Sequence, residues 1–345
     1  MNRIESVDIF RLIAITAVIN AHTTLFQADI LTGNVTYKYL ELIFDQLARF
    51  VIPFFCVISG YFWGAKIRRG SELISTSIKM AKRILILFLA WCIIYLLPYN
   101  FSSIIEYGVL GPFKLSYGVL HDLLKDPITL LFQGTKIHLW YLPGLFCAII
   151  ICTFFIAVKK IRLLIILSIS FYLFGVLAKS YADTPLGIHI GFNTRNGPFF
   201  CTLPFVVGYL LSGKISNKKW MFYGFFIYGS GLILHFTEIF MLWKIYSTKA
   251  LNQDYVIGTF FMGFGIAIAS LSDHPVLKNK ILAKIGRMTL GIYLVHYIFV
   301  DLLRPIDKLS DNVAWEIGYV LIVLILSVFT AFLLSRNKIT KILVL

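Results

Sequence analysis

Val7–Leu25 reads VDIFRLIAITAVINAHTTL. As an α-helix this stretch is roughly 28 Å long, close to the hydrocarbon thickness of a bilayer. Arg11 and His22 are eleven positions apart, which at about 100° per residue is about three turns plus 20°. The two side chains therefore project the same way, roughly 16 Å apart along the axis. Asp8 lies one turn before Arg11, placed to pair with it. Ionisable groups within a spanning helix are costly and mark a functional site by default. A cation near the cytoplasmic edge and an imidazole deeper in suit an anionic donor held at one end, with acid–base chemistry toward the other.

Outward from this segment the chain keeps the same character. Hydrophobic residues are 59% of the sequence and charged residues 14%, with a mean hydropathy of +0.82; soluble domains are nearer 25% charged. Apolar runs of about 20 residues recur. They predict an all-α integral membrane protein, one domain over residues 1–345, built as a bundle of about ten transmembrane helices. The expected spans are 7–27, 39–62, 80–98, 138–158, 161–179, 196–212, 220–243, 254–272, 287–303 and 314–334. The first span is not followed by a small-residue cleavage site and is read as retained.

The formal charge of +15 raises nucleic acid as a partner. The basic residues lie between apolar spans, however, so loop bias accounts for them and no nucleic acid is expected. With both termini cytoplasmic, Lys and Arg favour the inner side by about two to one. The longest outer stretch, Tyr99 to Ile137, has room for two short interfacial helices, Leu115–Leu124 and Ile128–Phe132. A second runs from Ser180 to Gly197. The five cysteines sit in apolar stretches as small buried residues. No metal-ligand pair, nucleophile elbow or phosphate loop appears, so no metal is expected.

Other polar groups fall within or beside the spans. Asp45 and Arg49 are spaced for an intrahelical ion pair, which either neutralises charge or lines the same cavity as Arg11. Pro53 is expected to kink span two. After that span, Lys66, Arg68, Arg69, Lys79, Lys82 and Arg83 put six cations at the inner surface. They serve topology and lipid contact, or they hold the phosphates of a cytosolic cofactor. His138 opens span four beside Trp140 and Tyr141, suited to interfacial anchoring or to catalysis. His296 lies mid-span nine, where it bonds a neighbouring helix or joins a site. Glu238, with His235, faces outward in span seven within reach of a substrate.

Taken in order, these segments resemble acyltransferase family 3, a family of integral membrane proteins. The resemblance rests on VDIFRLIA with Asp8 and Arg11, the ten-residue gap from Arg11 to His22, and ISGYF ending span two. It continues through Lys82 and Arg83, HLWYL at 138–142 and IGRMTLGIYLVH at 285–296. The resemblance implies a ten-helix bundle moving an acyl group, usually acetyl, from cytosolic acetyl-CoA to a sugar hydroxyl beyond the bacterial inner membrane. The implied acceptor is a surface polysaccharide such as the O-antigen of lipopolysaccharide, or a lipid-linked precursor. Since the sequence ends at Leu345, soon after span ten, the expectation is a compact form without an added extracytoplasmic hydrolase-like domain.

On this reading the coenzyme A phosphates rest on Arg11, Arg68, Arg69, Lys82 and Arg83. Asp8 supports Arg11, and His22 is either a general base or an acyl carrier. Asp45, Arg49, His138, Trp140, Glu238 and His296 are the expected acceptor-side residues. Buried Asp, Arg and His also fit a proton-coupled transporter or flippase of a glycan precursor, although repeated halves are not visible.

Overall fold

The computed structural model describes residues 4–23, 35–246, 253–307 and 313–344, with no side-chain detail for 35–38 or 313. The 24–27 end of the first expected span lies outside these residues. So do Arg3, Lys249, Lys308 and the side chain of Lys38, all of which enter the charge reading. Among the described residues the chain is helical and contains no strand. In order the helices are α1 Glu5–Thr23, α2 Val35–Leu47, α3 Val51–Arg68, α4 Leu73–Leu96, α5 Ile104–Tyr107, α6 Gly111–Lys125, α7 Pro127–Phe132 and α8 Tyr141–Ala157. There follow α9 Ile161–Leu177, α10 Pro198–Leu211, α11 Lys219–Tyr246, α12 Ile257–Leu271, α13 Lys280–Gly286, α14 Thr289–Asp307 and α15 Val313–Arg336.

Six helical segments among the described residues are long and apolar enough to cross a membrane: Tyr39–Arg68, Leu73–Tyr107, Ile137–Ala157, Lys219–Tyr246, Thr289–Asp307 and Ala314–Arg336. Ile161–Leu177, Pro198–Leu211 and Ile257–Leu271 are apolar but shorter. The 19-residue α1 carries Glu5, Asp8 and Arg11 and is not among the six. The outward faces bear large apolar side chains, such as Ile78, Leu89 and Ile93 on α4 and Phe222, Phe226 and Ile233 on α11. A surface of that kind is stable only against lipid.

Span two is two rods joined by a 3-10 turn, Ala48–Phe50. Pro53 is the third residue of α3, and its ring faces the carbonyl four residues back, Arg49, inside that 3-10 turn. The irregularity in span two is the turn just before the proline, which is the turn its ring disturbs. Gly60 of α3 and Gly208 of α10 let those helices touch backbone to backbone. A Cβ on either would strike the partner's main chain, at the Phe205 or Val57 carbonyl. Gly286 does the same for α13 against the Asp8 carbonyl, which fixes the start of α1. Helix α1 packs against α3, α12, α13, α14 and α15. The two short helices expected in the outer stretch are present, as α6 and α7. All five cysteines are free, and four are buried.

Candidate active site between two cavities

A cavity of about 570 Å³ opens beside the first turns of α1. Its mouth carries five cations: Arg11, Lys66, Lys79, Arg83 and Arg287. Arg11 donates to Asp8 Oδ1 at 3.1 Å, and Arg287 Nε lies 3.8 Å from Asp8 Oδ2. Asp8 itself is buried, so one carboxylate sets the positions of two guanidinium groups. Arg11 also lies over the Phe62 ring, 5.2 Å from its centroid.

The cations that line this cavity differ in part from those expected. On α4, Thr76, Met80, Arg83, Ile84 and Leu87 share one helical face with Lys79. Lys82 is roughly 130° round the helix from the centre of that face and does not line the cavity. Arg68 is turned across to α10, with Nε donating to Ser212 Oγ at 3.1 Å and its guanidinium over Tyr209. Arg69 is exposed and does not line it either. Lys66, Lys79 and Arg287 take their places. Lys66 and Lys79 belong to the basic clusters read in the sequence, and Arg287 lies in the IGRMTLGIYLVH segment but is not among the expected donor-site residues.

A second cavity, of about 110 Å³, lies at the other end of α1. His22, Asp45, Arg49, His138, Trp140 and Arg195 line it, with Asp254. Val18, Ile52 and Tyr293 line both cavities and form the wall between them. Arg11, Val18 and His22 are spaced by seven and four residues along α1, so the common face read from the sequence connects the two chambers.

Three histidines from separate helical segments meet beside this wall. The His22 ring is 5.5 Å from His296 and 6.3 Å from His138, centroid to centroid, and the latter two are 5.0 Å apart. Tyr297 lies 5.0 Å from His22 and stacks on His138 at 5.1 Å. His296 Nδ1 is 2.7 Å from the Tyr293 carbonyl, an acceptor, so that nitrogen carries the proton and Nε2 keeps its lone pair. Nε2 is buried with no hydrogen-bond partner among the described residues, as are both ring nitrogens of His138. The Leu294 carbonyl, which the His138 ring approaches, accepts from Tyr95 Oη at 2.7 Å. Tyr293 Oη donates to the His138 carbonyl and ties the wall to the cluster. Imidazoles with free nitrogens in a closed pocket can accept and pass protons.

His138, Trp140 and Tyr141 are all buried, so the interfacial anchoring role is set aside. A 3-10 turn, Ile137–Trp140, feeds them into the bundle, where Trp140 stacks on Phe200 at 5.9 Å. Asp45 and Arg49 form the expected ion pair, at 2.5 Å, but they line the small cavity and not the one that holds Arg11. Glu238 lines neither cavity. It accepts from Tyr181 Oη at 2.7 Å and from the Ile257 and Gly258 N–H groups at 3.1 and 2.6 Å, capping α12. A substrate-facing place for Glu238 is therefore corrected to a structural one. His235 is held between Thr259 Oγ1 and Gln46 Oε1. Asp254, in the loop before α12, receives Arg195 at 3.0 Å, Lys179 at 3.2 Å and Arg49 at 3.5 Å. Burial pushes its carboxyl up, but those three cations prevail and hold it below the ordinary range.

A family model described as an acyltransferase domain matches residues 4–336. Among curated proteins, two amino-acid racemases of Enterococcus faecalis are similar. One is 25% identical over 98% of this chain and 47% of its own length; the other is 27% identical over 62% of this chain and 29% of its own. A serine/alanine racemase of Enterococcus gallinarum is 26% identical over 97% of this chain and 46% of its own length. The chain thus spans less than half the length of these relatives. No solved structure matches significantly.

Proposed function

The chain belongs to this acyltransferase family, and from that premise we propose that it moves an acyl group, acetyl foremost, from cytosolic acyl-CoA to a hydroxyl of a cell-envelope glycan. The acceptor is a surface polysaccharide or its lipid-linked precursor, and the protein is a ten-pass component of the bacterial inner membrane with both termini cytoplasmic. One observation carries the reading: a cation-rimmed cavity and a histidine-lined cavity approach the same wall, Val18, Ile52 and Tyr293, from opposite ends of α1.

In this account the donor phosphates rest on Arg11, Lys66, Lys79, Arg83 and Arg287, and the pantetheine arm runs inward toward the wall. The acceptor hydroxyl enters from the small cavity. Neutral His22 takes its proton as the oxygen attacks the thioester carbonyl. The carbon–sulfur bond then breaks and the imidazolium returns the proton to the departing thiolate. The products are an ester and coenzyme A, and no metal takes part. His296 and His138 hold His22 in a pocket whose free ring nitrogens share the proton. A transient acyl-histidine on His22 is the alternative route to the same products.

The racemases share a segment that is less than half of them, and two chambers meeting mid-bundle also suit a carrier. The second reading is therefore uptake of a small amino acid or flipping of a glycan precursor. Mass spectrometry of envelope glycans from cells with and without the protein separates the two. Acyl transfer predicts a mass increment of one acetyl group per modified residue that depends on the protein. Unchanged glycans together with protein-dependent uptake of serine or alanine would establish the carrier.

A further inference from the structure

Around the small cavity three cations meet two carboxylates. Asp45 pairs with Arg49, and Asp254 receives Arg49, Arg195 and Lys179. Three cations share two carboxylates, which leaves one positive charge over in this set. Both carboxylates and both arginines line the cavity itself, while Lys179 reaches Asp254 from outside the lining and frees part of that carboxylate's hold on the arginines. Donors are left unused as well. Arg49 Nε is buried and has no hydrogen-bond partner among the described residues. Arg195 lies over the Trp140 ring, 5.0 Å from its centroid, which fixes its plane, while its Nε reaches Asn196 Oδ1 only at 3.5 Å. A surplus positive charge on the cluster and an orphaned guanidinium N–H beside the cavity are costly alone and are relieved by an anion.

We propose that the small cavity is an anion site, in which Arg49 and Arg195 bind a carboxylate or phosphate of the molecule whose hydroxyl faces His22. The acceptor is then an acidic sugar or a sugar phosphate, and a neutral hexose lacks the group that the cavity selects. The hydroxyl part of this inference rests on the acyl-transfer reading; the anion site does not. Its size is consistent with this: about 110 Å³ holds on the order of eight waters, enough for an anionic group and the sugar atoms next to it. Trp140 and Phe200 supply an apolar wall for a sugar face.

Calorimetric titration of the full chain in lipid nanodiscs tests the site without any turnover. The probes are D-glucuronate and glucose 1-phosphate, with D-glucose as the uncharged control, each with and without coenzyme A. At least one anion is expected to bind, with glucose about tenfold weaker or worse. Arg49→Gln and Arg195→Gln each weaken the anion about tenfold or more, whereas Lys79→Gln, in the other cavity, does not. Arg195→Lys retains most of the binding, so loss in Arg195→Gln reports charge and not misfolding. Asp254→Asn removes a competing carboxylate and tightens the anion, the opposite of what a merely structural cluster predicts.

The relative strength of the two acids identifies the group as carboxylate or phosphate. Glucose binding as tightly as the acids, or neither acid binding at millimolar concentration, overturns the proposal. So does an anion response that follows Lys79 instead of Arg195. A protein that binds the acids yet transfers no acetyl keeps this site and loses the proposed reaction.

Discussion

Lys79 and Lys82 are three residues apart on α4, and only Lys79 lines the large cavity. Lys79→Gln and Lys82→Gln therefore separate a donor site from a diffuse basic surface. A lysine ammonium about 4 Å from a phosphate gains about 4 kcal/mol at an effective dielectric constant of 20. Lys79 is exposed, so water and salt reduce that to roughly 1–1.5 kcal/mol. A loss of that size raises KM for acetyl-CoA about tenfold and leaves kcat nearly unchanged, since the contact is the same in ground and transition states. Adding Arg83→Gln brings the rise to about a hundredfold if the two phosphate contacts are independent. The KM of the unaltered protein also rises with ionic strength, because the rim is solvated. Initial rates of acetyl transfer in membrane vesicles over a range of acetyl-CoA concentrations read all of this. A Lys82→Gln protein matching Lys79→Gln would refute the cavity as the donor site, as would a fall in kcat at constant KM.

Other expectations follow from individual contacts. Asp8→Asn with Arg11→Gln restores folding relative to Arg11→Gln alone, because the buried Asp8 carboxylate then no longer loses its nearer guanidinium while keeping Arg287 at 3.8 Å, but it leaves donor KM raised; recovery of normal KM would reduce Arg11 to a partner for Asp8. Gly208→Val forces α3 and α10 apart and lowers the detergent melting temperature by several degrees, whereas Gly70→Val, whose Cβ meets open space, costs only its backbone strain at φ +94°. The Asp254 carboxyl titrates below its ordinary value of 3.8. Its ion pairs therefore stabilise the fold fully above that pH and are lost as pH falls through the lower folded value. Acid unfolding followed by circular dichroism should show this loss in the natural protein and a flatter profile in Asp254→Asn.

Order along single helices was legible in the sequence, and contact between helices was not. The 100° step placed Arg11 and His22 on one face of α1, and turn residues marked out α6 and α7. The same step, applied to α4, would have separated Lys79 and Arg83 from Lys82 once the inward face was known, but only packing against α8 defines that face. His22, His138 and His296 meet although more than a hundred residues separate each from the next, and nothing local encodes that register. Asp254 and Arg195 pair across 59 positions from two loops. Glu238 resembled a site residue because a carboxylate in an apolar run is costly. Its partners are backbone N–H groups at the start of α12, which carry no sequence signature.

In the proposed reaction His22 moves an acetyl group between a donor in the large cavity and an acceptor in the small one. Inside-out vesicles given radiolabelled acetyl-CoA test it most directly, with the natural protein compared with His22→Ala at equal amounts of folded protein. Label is expected on the envelope glycan with the natural protein and only background label with His22→Ala, while acetyl-CoA still binds. Near-normal labelling by His22→Ala would contradict it.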